Sequence, residues 1–523
     1  MEQPAAVPVD ATHDAWRGGW PAWAVAGVVA AVVAGVALRL YTASPLWLDE
    51  ALTVNVAHVP LGDLVEALKH DGAPPLYYLL LHGWMRVVGD GDVAVRLLSA
   101  AFSVATLPVA YAMARKRAGN VTAAAALVIA ATSPFAIRYA TEARMYALVA
   151  LLVSVGWLGL AAVLERVTLP RLTLVAAAAG LLLLTHYWGF YLVGATVVAL
   201  LVARRWQPAA AIVIGSAVLF APWAGVFAYQ LQHTGTPWGS PPGPVEVAFT
   251  TLVDLGGGPY PEGQLLAGVL AALVVLALFG RAVDRHRIEL DVRTVPGVRA
   301  DALVGALALL AGVGVGAVTA SAWASRYTSV AFPLVVLVAA FGVRAFGDRR
   351  LVAGVLAVIA VAGVVGGVRN VVTDRTQAGD VRAAILANAP GLRTSANGEH
   401  RAAGTALVVS CPDQLGPAVH RVVGADVADA HVTFPGAGDP RFVDWVDYEK
   451  RMETADPAAF AHRVLAMAGG RDIYYVWMSG YRTLAKKCEA VNDAFGAARP
   501  GSRQLLEPDE HTFERQALWL FPA

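Results

Sequence analysis

The chain has 523 residues, of which 57% are hydrophobic and only 15% are charged. A soluble chain carries about 25% charged residues, so this composition excludes an ordinary soluble multidomain protein and predicts one that lies largely in a membrane. The 40 basic and 39 acidic residues give a net charge of +1, and no basic run is interleaved with aromatic residues, which argues against nucleic acid as a partner.

Long apolar runs recur along the chain up to residue 368. Each fits a helix that crosses the membrane, although several reach the required length of about 20 residues only with flanking residues. We therefore predict a polytopic α-helical membrane protein with about eleven transmembrane helices. The runs comprise residues 23–40, 93–114, 121–135, 145–164, 172–184, 188–203, 209–227, 265–279, 303–319, 327–346 and 351–368.

Basic residues lie in alternate loops between these runs, and this pattern predicts the orientation of the chain. It puts the N-terminus in the cytoplasm and, with an odd number of spans, everything after the last span outside, in a multi-pass protein of the inner or plasma membrane. The first run is longer than the hydrophobic part of a signal peptide, so we interpret it as a retained anchor. The basic clusters assigned to the cytoplasm lie at 115–117, 166–171, 204–205, 281–299 and 344–350.

Two loops on the predicted outer side are too long to be simple connections. The first, residues 41–92, contains two stretches with helical spacing of apolar residues, 61–68 and 76–88. We expect both to form helices on or in the outer membrane surface. The second loop covers residues 229–263 and is rich in proline and glycine.

From about Thr373 the composition changes to that of a soluble α/β segment, here called the tail. We predict a membrane-embedded domain over residues 1–372 and an extracytoplasmic α/β domain over residues 373–523. Apolar patterns in the tail predict a small layered sheet. The predicted tail elements are helices at 380–388 and 458–467 and strands at 406–410 and 472–478.

The tail contains both cysteines of the chain, Cys411 and Cys488. Thiols outside the cytoplasm can oxidise, so we predict one disulfide between them, with two unpaired buried residues as the alternative.

Two adjacent carboxylates, Asp49 and Glu50, follow the first apolar run. Ionisable residues at a membrane span are costly and therefore suggest a function. The alternative is capping of a helix after the turn at Pro45, because acidic residues favour the first turn of a helix. Capping explains only one of the two carboxylates, so the presence of the other must have a separate cause.

Further polar and aromatic residues follow at other junctions on the predicted outer side. Two arginines and a glutamate in one short loop suit the recognition of an anion, although a local ion pair is the alternative. Anchoring at the membrane interface explains the aromatic residues but not the ionised ones. These candidate binding residues are Asp71, Tyr77, Arg138, Tyr139, Glu142, Arg144, His186, Tyr187, Arg326 and Tyr327.

All of these junctions fall at one face of the membrane under the predicted topology. A transporter or lipid flippase, the alternative function, would place ionisable groups near the midplane of the bilayer, where this sequence has almost none. The pattern favours a site at the outer surface.

Several motifs of the chain resemble the GT-C superfamily of integral-membrane glycosyltransferases. They are similar in particular to the protein-mannosyltransferase-like and aminoarabinose-transferase-like branch, in order and topology over about the first 370 residues. The motifs are W-L-D-E-A at 47–51, P-P-L-Y-Y-L-L-L at 74–81, R-Y-x-x-E-A-R-M-Y-A-L at 138–148 and S-R-Y at 325–327.

The resemblance implies transfer of a sugar from a polyprenyl phosphate to an extracytoplasmic glycan, lipid or protein, with inversion. It makes Asp49 the base for the attacking hydroxyl, with Glu50 orienting the acceptor or Asp49. Arginines at 138, 144 and 326 would stabilise the phosphate leaving group. Residues 1–372 would then be the catalytic domain, and the tail is expected to help bind the acceptor without supplying the catalytic base. On this view, a chain shortened near Val372 would still use the donor at a reduced rate. Some relatives have a lysine before the paired prolines, where this chain has Ala73, which argues against phosphate binding from that loop.

Some members of the superfamily use a metal near the acidic motif. Asp49, Glu50, Glu142 and His186 could supply ligands, but they lack the close spacing of a known metal motif. We therefore expect no obligatory cofactor, with a divalent metal as the alternative.

Overall fold

The computed structural model describes residues 21–523 except 237–238, 240–242, 295, 320, 389–405, 425–426 and 429. Parts of the proline-rich loop at 229–263 therefore lie outside the described residues. Up to residue 372 the chain is almost entirely helical, apart from one short antiparallel hairpin, Gly280–Ala282 (β1) with Ile288–Leu290 (β2). The helices are Ala22–Leu38 (α1), Leu48–His58 (α2), Leu64–Asp71 (α3), Leu76–Val88 (α4), Asp92–Thr132 (α5), Pro134–Ala140 (α6), Tyr146–Glu165 (α7), Leu169–Leu183 (α8), Gly189–Val202 (α9), Trp206–Phe220 (α10), Ala224–His233 (α11), Pro244–Gly256 (α12), Pro261–Phe279 (α13), Pro296–Thr319 (α14), Phe332–Gly342 (α15) and Arg349–Val372 (α16).

The predicted polytopic helical fold is confirmed. In the described part of the chain, six helices are long and apolar enough to cross a membrane, and four shorter ones are also apolar. Each of the predicted apolar runs falls on helical structure. The figure of about eleven crossings stays a prediction. The six long spans are Asp92–Thr132, Tyr146–Glu165, Trp206–His233, Pro261–Phe279, Gly297–Thr319 and Arg349–Val372.

The longest helix, α5, consists of two helical segments joined at a sharp kink. Ala118 and Gly119 interrupt its helical backbone, and Gly119 has a φ of 82°, a left-handed value that glycine adopts without steric cost. The kink lies between the predicted runs 93–114 and 121–135. It therefore agrees with the prediction of two separate apolar segments.

Both predicted outer helices are present. Helix α4 has the predicted bounds, whereas α3 lies three residues later than the stretch 61–68. Gly72 ends α3 in the left-handed conformation, with a φ of 81°. Paired prolines then lead into α4. Helix α4 packs against α2 and α5, and α3 packs against α2 and α11.

The tail forms a five-stranded mixed sheet with helices, as predicted. Its strand order is β4-β3-β5-β7-β6, with parallel pairing among the first three strands and antiparallel pairing at β7 and β6. Its elements are Ala378–Asn388 (α17), Ala406–Cys411 (β3), Gly416–Val423 (α18), Ala430–Thr433 (β4), Tyr448–Thr454 (α19), Pro457–Ala468 (α20), Asp472–Trp477 (β5), Lys487–Ala498 (α21), Arg503–Leu506 (β6) and Ala517–Phe521 (β7).

Both faces of the central strands are buried. Val409 and Tyr475 pack into the core that contains Phe460 of α20, whereas Val408 packs into a second core with α17 and α18. A strand whose alternate residues enter two cores is apolar throughout, which explains the continuous apolar run that predicted β3.

Polar contacts hold the tail against the outer end of the membrane part. The Trp445 N–H donates to the His70 carbonyl oxygen at 2.9 Å, and His70 Nδ1 lies 2.8 Å from Asp444 Oδ1. Farther away, Arg421 Nε donates to Asp92 Oδ1 at 2.8 Å. The tail is therefore positioned directly above α2 and α3.

The predicted disulfide is confirmed. It joins Cys411, at the end of β3, to Cys488 in α21. Both residues are buried. The alternative of two unpaired thiols is wrong.

Candidate active site

Helix α2 begins with the two acidic residues that the sequence analysis singled out. Its N-cap is Trp47, whose side chain makes no capping hydrogen bond. Asp49 is therefore not the N-cap, although its charge still suits the positive end of the helix. The side chain of Asp49 is 16% exposed and lies in the wall of a large cavity.

Two arginines from distant parts of the chain approach Asp49. Arg326 Nη1 lies 3.3 Å from Asp49 Oδ2, and Arg144 Nη2 lies 3.9 Å from the same oxygen. Arg144 Nη1 also donates to Thr53 Oγ1 at 2.6 Å, which fixes the guanidinium group beside α2. The structure thus brings together Asp49, Arg144 and Arg326, three of the residues that the sequence placed at one face of the membrane.

Glu50 points away from this cavity into a buried ion cluster. Arg96 contacts its two carboxylate oxygens at 2.6 and 2.7 Å, and the Ala143 N–H donates to Oε1 at 2.9 Å. Arg375 Nη1 lies 3.7 Å from Oε2. Glu50 is 0% exposed, so its geometry fits the orientation of α2 and Asp49 and not direct contact with an acceptor.

Glu142 belongs to the same buried cluster. Arg375 Nη1 lies 3.9 Å from Glu142 Oε1 and donates to the Thr141 carbonyl oxygen at 2.7 Å. Arg138 Nε donates to Glu142 Oε1 at 3.1 Å, which is the local ion pair considered as the alternative to anion recognition. The Arg138 side chain is nevertheless 35% exposed and lines the cavity, so it can keep this partner and still contact a bound anion.

The cavity in front of Asp49 has a volume of about 710 Å³. Its wall combines positive charge, carboxylates and aromatic rings. The charge and aromatic character suit a ligand that has both an anionic group and a sugar ring. The charged residues of the wall are Asp49, Arg138, Asp254, Arg326, Arg369, Asp374, Arg375 and Glu514. The aromatic residues of the wall are Trp47, Phe135, Tyr139, Tyr260, Trp323, Trp445, Tyr481 and Phe513.

The tail supplies part of this wall. Phe513 and Glu514 lie beside the start of α2, where the Leu48 N–H donates to Glu514 Oε1 at 2.6 Å. The tail was expected to help bind the acceptor, with reduced donor use in a chain shortened near Val372, and this stays a prediction. Because tail residues line the cavity that contains Asp49, such a chain would lose part of the cavity wall.

His186 and Tyr187 do not line the cavity. The His186 ring lies between those of Tyr146 and Tyr327, with centroids 5.7 and 5.5 Å away. Tyr187 donates to Gln230 Oε1 in a short hydrogen bond. Tyr327 packs against Arg326, whose guanidinium lies 6.0 Å from its ring centroid. Tyr327 therefore supports a residue of the wall, and His186 packs against Tyr327 in turn.

Asp71 and Tyr77 are also set back from the cavity. The Tyr78 hydroxyl donates to Asp71 Oδ2 at 2.5 Å, and burial raises the pKa of the Asp71 carboxyl group. The Tyr77 hydroxyl lies 2.7 Å from Ser99 Oγ, deep in the protein. Asp71 instead lines a second cavity of about 570 Å³ between the outer helices and the tail.

Sequence analysis did not single out five residues that shape the site. They are Trp47, Arg96, Arg375, Phe513 and Glu514. Trp47 lies within the W-L-D-E-A motif, so the motif itself could have indicated it. The other four have their partners far away in the chain and carry no local signal.

The proposed metal ligands do not form a coordination site. Among the described residues, no group of three or more His, Cys, Asp and Glu side chains is arranged to hold a metal ion. Asp49 faces Arg326 and Arg144, and Glu50 faces Arg96. The guanidinium groups lie within 4 Å of these carboxylates and would repel a divalent ion, so the residues do not fit a metal.

Comparison with known proteins supports this description. Residues 72–229 match the family model described as dolichyl-phosphate-mannose-protein mannosyltransferase. This match covers α4 and the loop with Arg138 and Arg144. No match to the chain is found among curated proteins.

Solved structures of ArnT from Cupriavidus metallidurans are similar to the chain over nearly its whole length. The structure in the apo state has a TM-score of 0.57 at 15% identity and covers 95% of this chain and 97% of that one. The structure bound to undecaprenyl phosphate has a TM-score of 0.58 at 16% identity and covers 96% of this chain and 98% of that one. At this identity, the similarity shows a common fold.

The fold and the family match over residues 72–229 confirm the resemblance to the protein-mannosyltransferase-like and aminoarabinose-transferase-like branch of the GT-C superfamily that the sequence motifs predicted. The transporter alternative receives no support.

Proposed function

We propose that the chain is a glycosyltransferase that moves a sugar from a polyprenyl-phosphate-linked donor to an acceptor outside the cytoplasm, with inversion. The observation that carries the proposal is the position of Asp49 in a cavity lined by four arginines. It puts a proton acceptor beside a site for an anion. The polyprenyl donor is supported by the fold, since one structure with this fold contains undecaprenyl phosphate.

The arginines stabilise the leaving group. When the bond between the anomeric carbon and the phosphate oxygen breaks, negative charge accumulates on the phosphate, which needs no proton in order to leave. Arg326 and Arg138 lie in the cavity wall and can both approach this group. Guanidinium groups bind phosphate oxygens bidentately, and fixed cations stabilise charge that develops in the transition state.

Asp49 accepts the proton of the attacking hydroxyl group. The acceptor oxygen forms a bond to the anomeric carbon, the phosphate leaves from the opposite face, and the hydroxyl proton passes to the carboxylate. The hydroxyl becomes acidic only as it attacks an oxocarbenium-like carbon, so a carboxylate with an ordinary basicity suffices. Arg326 and Arg144 fix the orientation of Asp49 without enclosing it.

No metal is needed in this mechanism. The positive charge that a divalent ion would contribute near Asp49 and the phosphate comes from the arginines. A cation bound at Asp49 would be repelled by Arg326 and Arg144, which lie within 4 Å of its carboxylate.

The cavity faces the outside of the inner or plasma membrane in this proposal, with the N-terminus in the cytoplasm. Two observations support this orientation. The basic clusters lie at the opposite end of the predicted spans from Asp49, in agreement with the positive-inside rule. The disulfide between Cys411 and Cys488 also favours an oxidising compartment for the tail.

A direct test uses the purified protein and a panel of synthetic polyprenyl phosphates that carry mannose, glucose or arabinose. Mass spectrometry should detect consumption of at least one donor and release of the polyprenyl phosphate, with water or an added glycan, lipid or peptide as acceptor. Asp90→Asn is a matched control, because this exposed carboxylate lies on the same outer side but away from the cavity. Absence of turnover with every donor and acceptor would contradict the proposal.

A further inference from the structure

We propose that Phe513 and Glu514 of the tail form a recognition surface for the donor sugar, with Phe513 stacking on the sugar ring and Glu514 hydrogen-bonding one of its hydroxyl groups. This surface rests on the proposed function, because the ring belongs to the donor of that reaction. The tail would then select the sugar, while the membrane part supplies the base and the cations.

Phe513 is unusual among the residues of the cavity wall. Its side chain is 62% exposed although it lies in the polar sequence E-H-T-F-E. Its ring lies 5.1 Å from the ring of Trp47 in an edge-to-face arrangement. Trp47 precedes Asp49 by two residues. An open aromatic ring in a cavity wall is suited to stacking against the C–H groups of a sugar.

The position of Phe513 relative to the cations points to the donor. The guanidinium of Arg326 lies 6.0 Å from the Trp47 ring, and Phe513 packs on that same ring. A phosphate held by Arg326 would therefore carry its sugar within reach of Phe513.

Glu514 is oriented for a hydrogen bond from the same side. It is 4% exposed, and its Oε1 accepts from the Leu48 N–H at 2.6 Å. Its Oε2 finds no hydrogen-bond partner among the described residues. Its own N–H donates to the Arg375 carbonyl oxygen at 2.9 Å, which fixes the segment in the cavity wall.

The protonation state of Glu514 supports this role. Burial, reinforced by the charges of Asp49 and Glu50, raises the pKa of its carboxyl group to about 8, while the Thr376 hydroxyl and the Leu48 N–H act in the opposite direction. Asp374, Arg375, Tyr481 and His511 are the other titratable tail groups in the same wall. At neutral pH the acid form predominates, and it can both donate to and accept from a hydroxyl group.

The test compares binding of bare polyprenyl phosphate with binding of the same lipid carrying mannose, glucose or arabinose, measured by calorimetry on the full chain in detergent. The variants are Phe513→Ala, Phe513→Trp, Glu514→Ala and Glu514→Gln. Phe249→Ala and Glu510→Gln are matched controls, because both residues are exposed and neither lines the cavity.

The wild-type protein should bind one glycosylated lipid at least 10-fold more tightly than the bare lipid. Phe513→Ala and Glu514→Ala should each remove most of this preference and change the affinity for the bare lipid less than 2-fold. Phe513→Trp should retain the preference for the glycosylated lipid because it keeps an aromatic face. Glu514→Gln should retain it because the amide both donates and accepts hydrogen bonds.

An equal loss of affinity for bare and glycosylated lipid would show that the pair only supports α2, and unchanged binding in both alanine variants would also overturn the proposal. So would a wild-type protein without preference for a sugar. A sugar preference that depends on Phe513, in a protein that turns over no donor, would instead reject the transferase function and leave this surface as a sugar-binding site.

Discussion

The surroundings of Asp49 and Glu50 differ completely, although the two carboxylates are neighbours in the chain. Successive side chains of a helix point about 100° apart, so one enters the cavity and the other the protein interior. Asp49 Oδ2 meets Arg326 and Arg144 at 3.3 and 3.9 Å. Both oxygens of Glu50 accept hydrogen bonds from Arg96, at 2.6 and 2.7 Å.

The difference shows what separates a reactive carboxylate from a structural one. Glu50 has its acceptor positions filled by Arg96 and by the Ala143 N–H, so no substrate hydroxyl can compete for it. Asp49 Oδ2 accepts no hydrogen bond from the described residues. It therefore keeps acceptor capacity for a proton, whereas Glu50 holds the first turn of α2 in place.

The largest effect is expected for Asp49→Asn. The amide keeps the shape of the side chain but cannot accept a proton, so transfer should fall by about 100-fold to 10,000-fold. Donor binding and the melting temperature should stay close to those of the wild type. Turnover is measured by mass spectrometry with the donor that the wild-type protein uses. Retention of more than a tenth of the wild-type rate would show that Asp49 is not the base.

Glu50→Gln should act on stability instead. The change leaves Arg96 buried without its counterion and Arg375 with Glu142 alone, and removing one partner of a buried ion pair costs about 3–5 kcal/mol. Thermal unfolding in detergent should show a lower melting temperature. At a temperature where the variant is folded, turnover should fall much less than in Asp49→Asn. A stable variant with the activity loss of Asp49→Asn would erase the proposed distinction between the two carboxylates.

Arg326→Lys tests the cation side of the cavity. Lysine keeps the charge but loses the planar fork that binds phosphate bidentately, so kcat/KM for the donor should fall about 10-fold. Arg441→Lys provides a control, because this exposed arginine pairs with Asp439 in the tail, outside the cavity. Equal kinetics for Arg326→Lys and the wild type would remove Arg326 from the phosphate site.

A smaller effect, on pH dependence, is expected in the tail. Burial raises the pKa of Asp413 to about 7, against the hydrogen bond that the Tyr448 hydroxyl donates to it at 2.6 Å. The folded protein thus holds a proton that the unfolded chain releases near pH 4. The contribution of Asp413 to the free energy of unfolding therefore falls as the pH rises from about 4 to 7, and the melting temperature falls with it. Asp413→Asn should remove the part of this decrease that comes from Asp413. Asp493→Asn, at an exposed position of α21, should leave it unchanged.

The smallest effect is expected from removal of divalent metal. Since Arg326 and Arg144 lie within 4 Å of the Asp49 carboxylate and would repel a divalent ion, EDTA should leave turnover within about 2-fold of its value in buffer. Addition of excess Mg²⁺ or Mn²⁺ should not raise it. A loss that is reversed by one particular metal would show that the ion displaces the arginines in the working enzyme.

The parts of the fold that were predicted correctly depend on local sequence. A span is recognised by its length and apolarity, and strands β3 and β5 by continuous apolar runs, so distant contacts are not required. Asp49, Arg144 and Arg326 were also recognisable, because ionised residues beside membrane spans are rare.

The remaining features depend on distant contacts. Glu514 reaches the start of α2 from the other end of the chain, and Arg375 joins Glu50 and Glu142 from beyond the last span. Nothing in the residues around Glu514 or Phe513 indicates a partner near Trp47. The separate roles of Asp49 and Glu50 likewise depend on the rotation of α2, which is set by packing and not by composition.

The contact between Leu48 and Glu514 has a consequence for biosynthesis. One partner is translated near the start of the chain and the other near its end, 466 residues apart. At about 5–20 residues per second, synthesis of the intervening segment takes roughly 20 to 90 seconds. The cavity beside Asp49 lacks its tail side throughout that time, so an incomplete chain on the ribosome contains Asp49 but not the part of the cavity wall that the tail supplies.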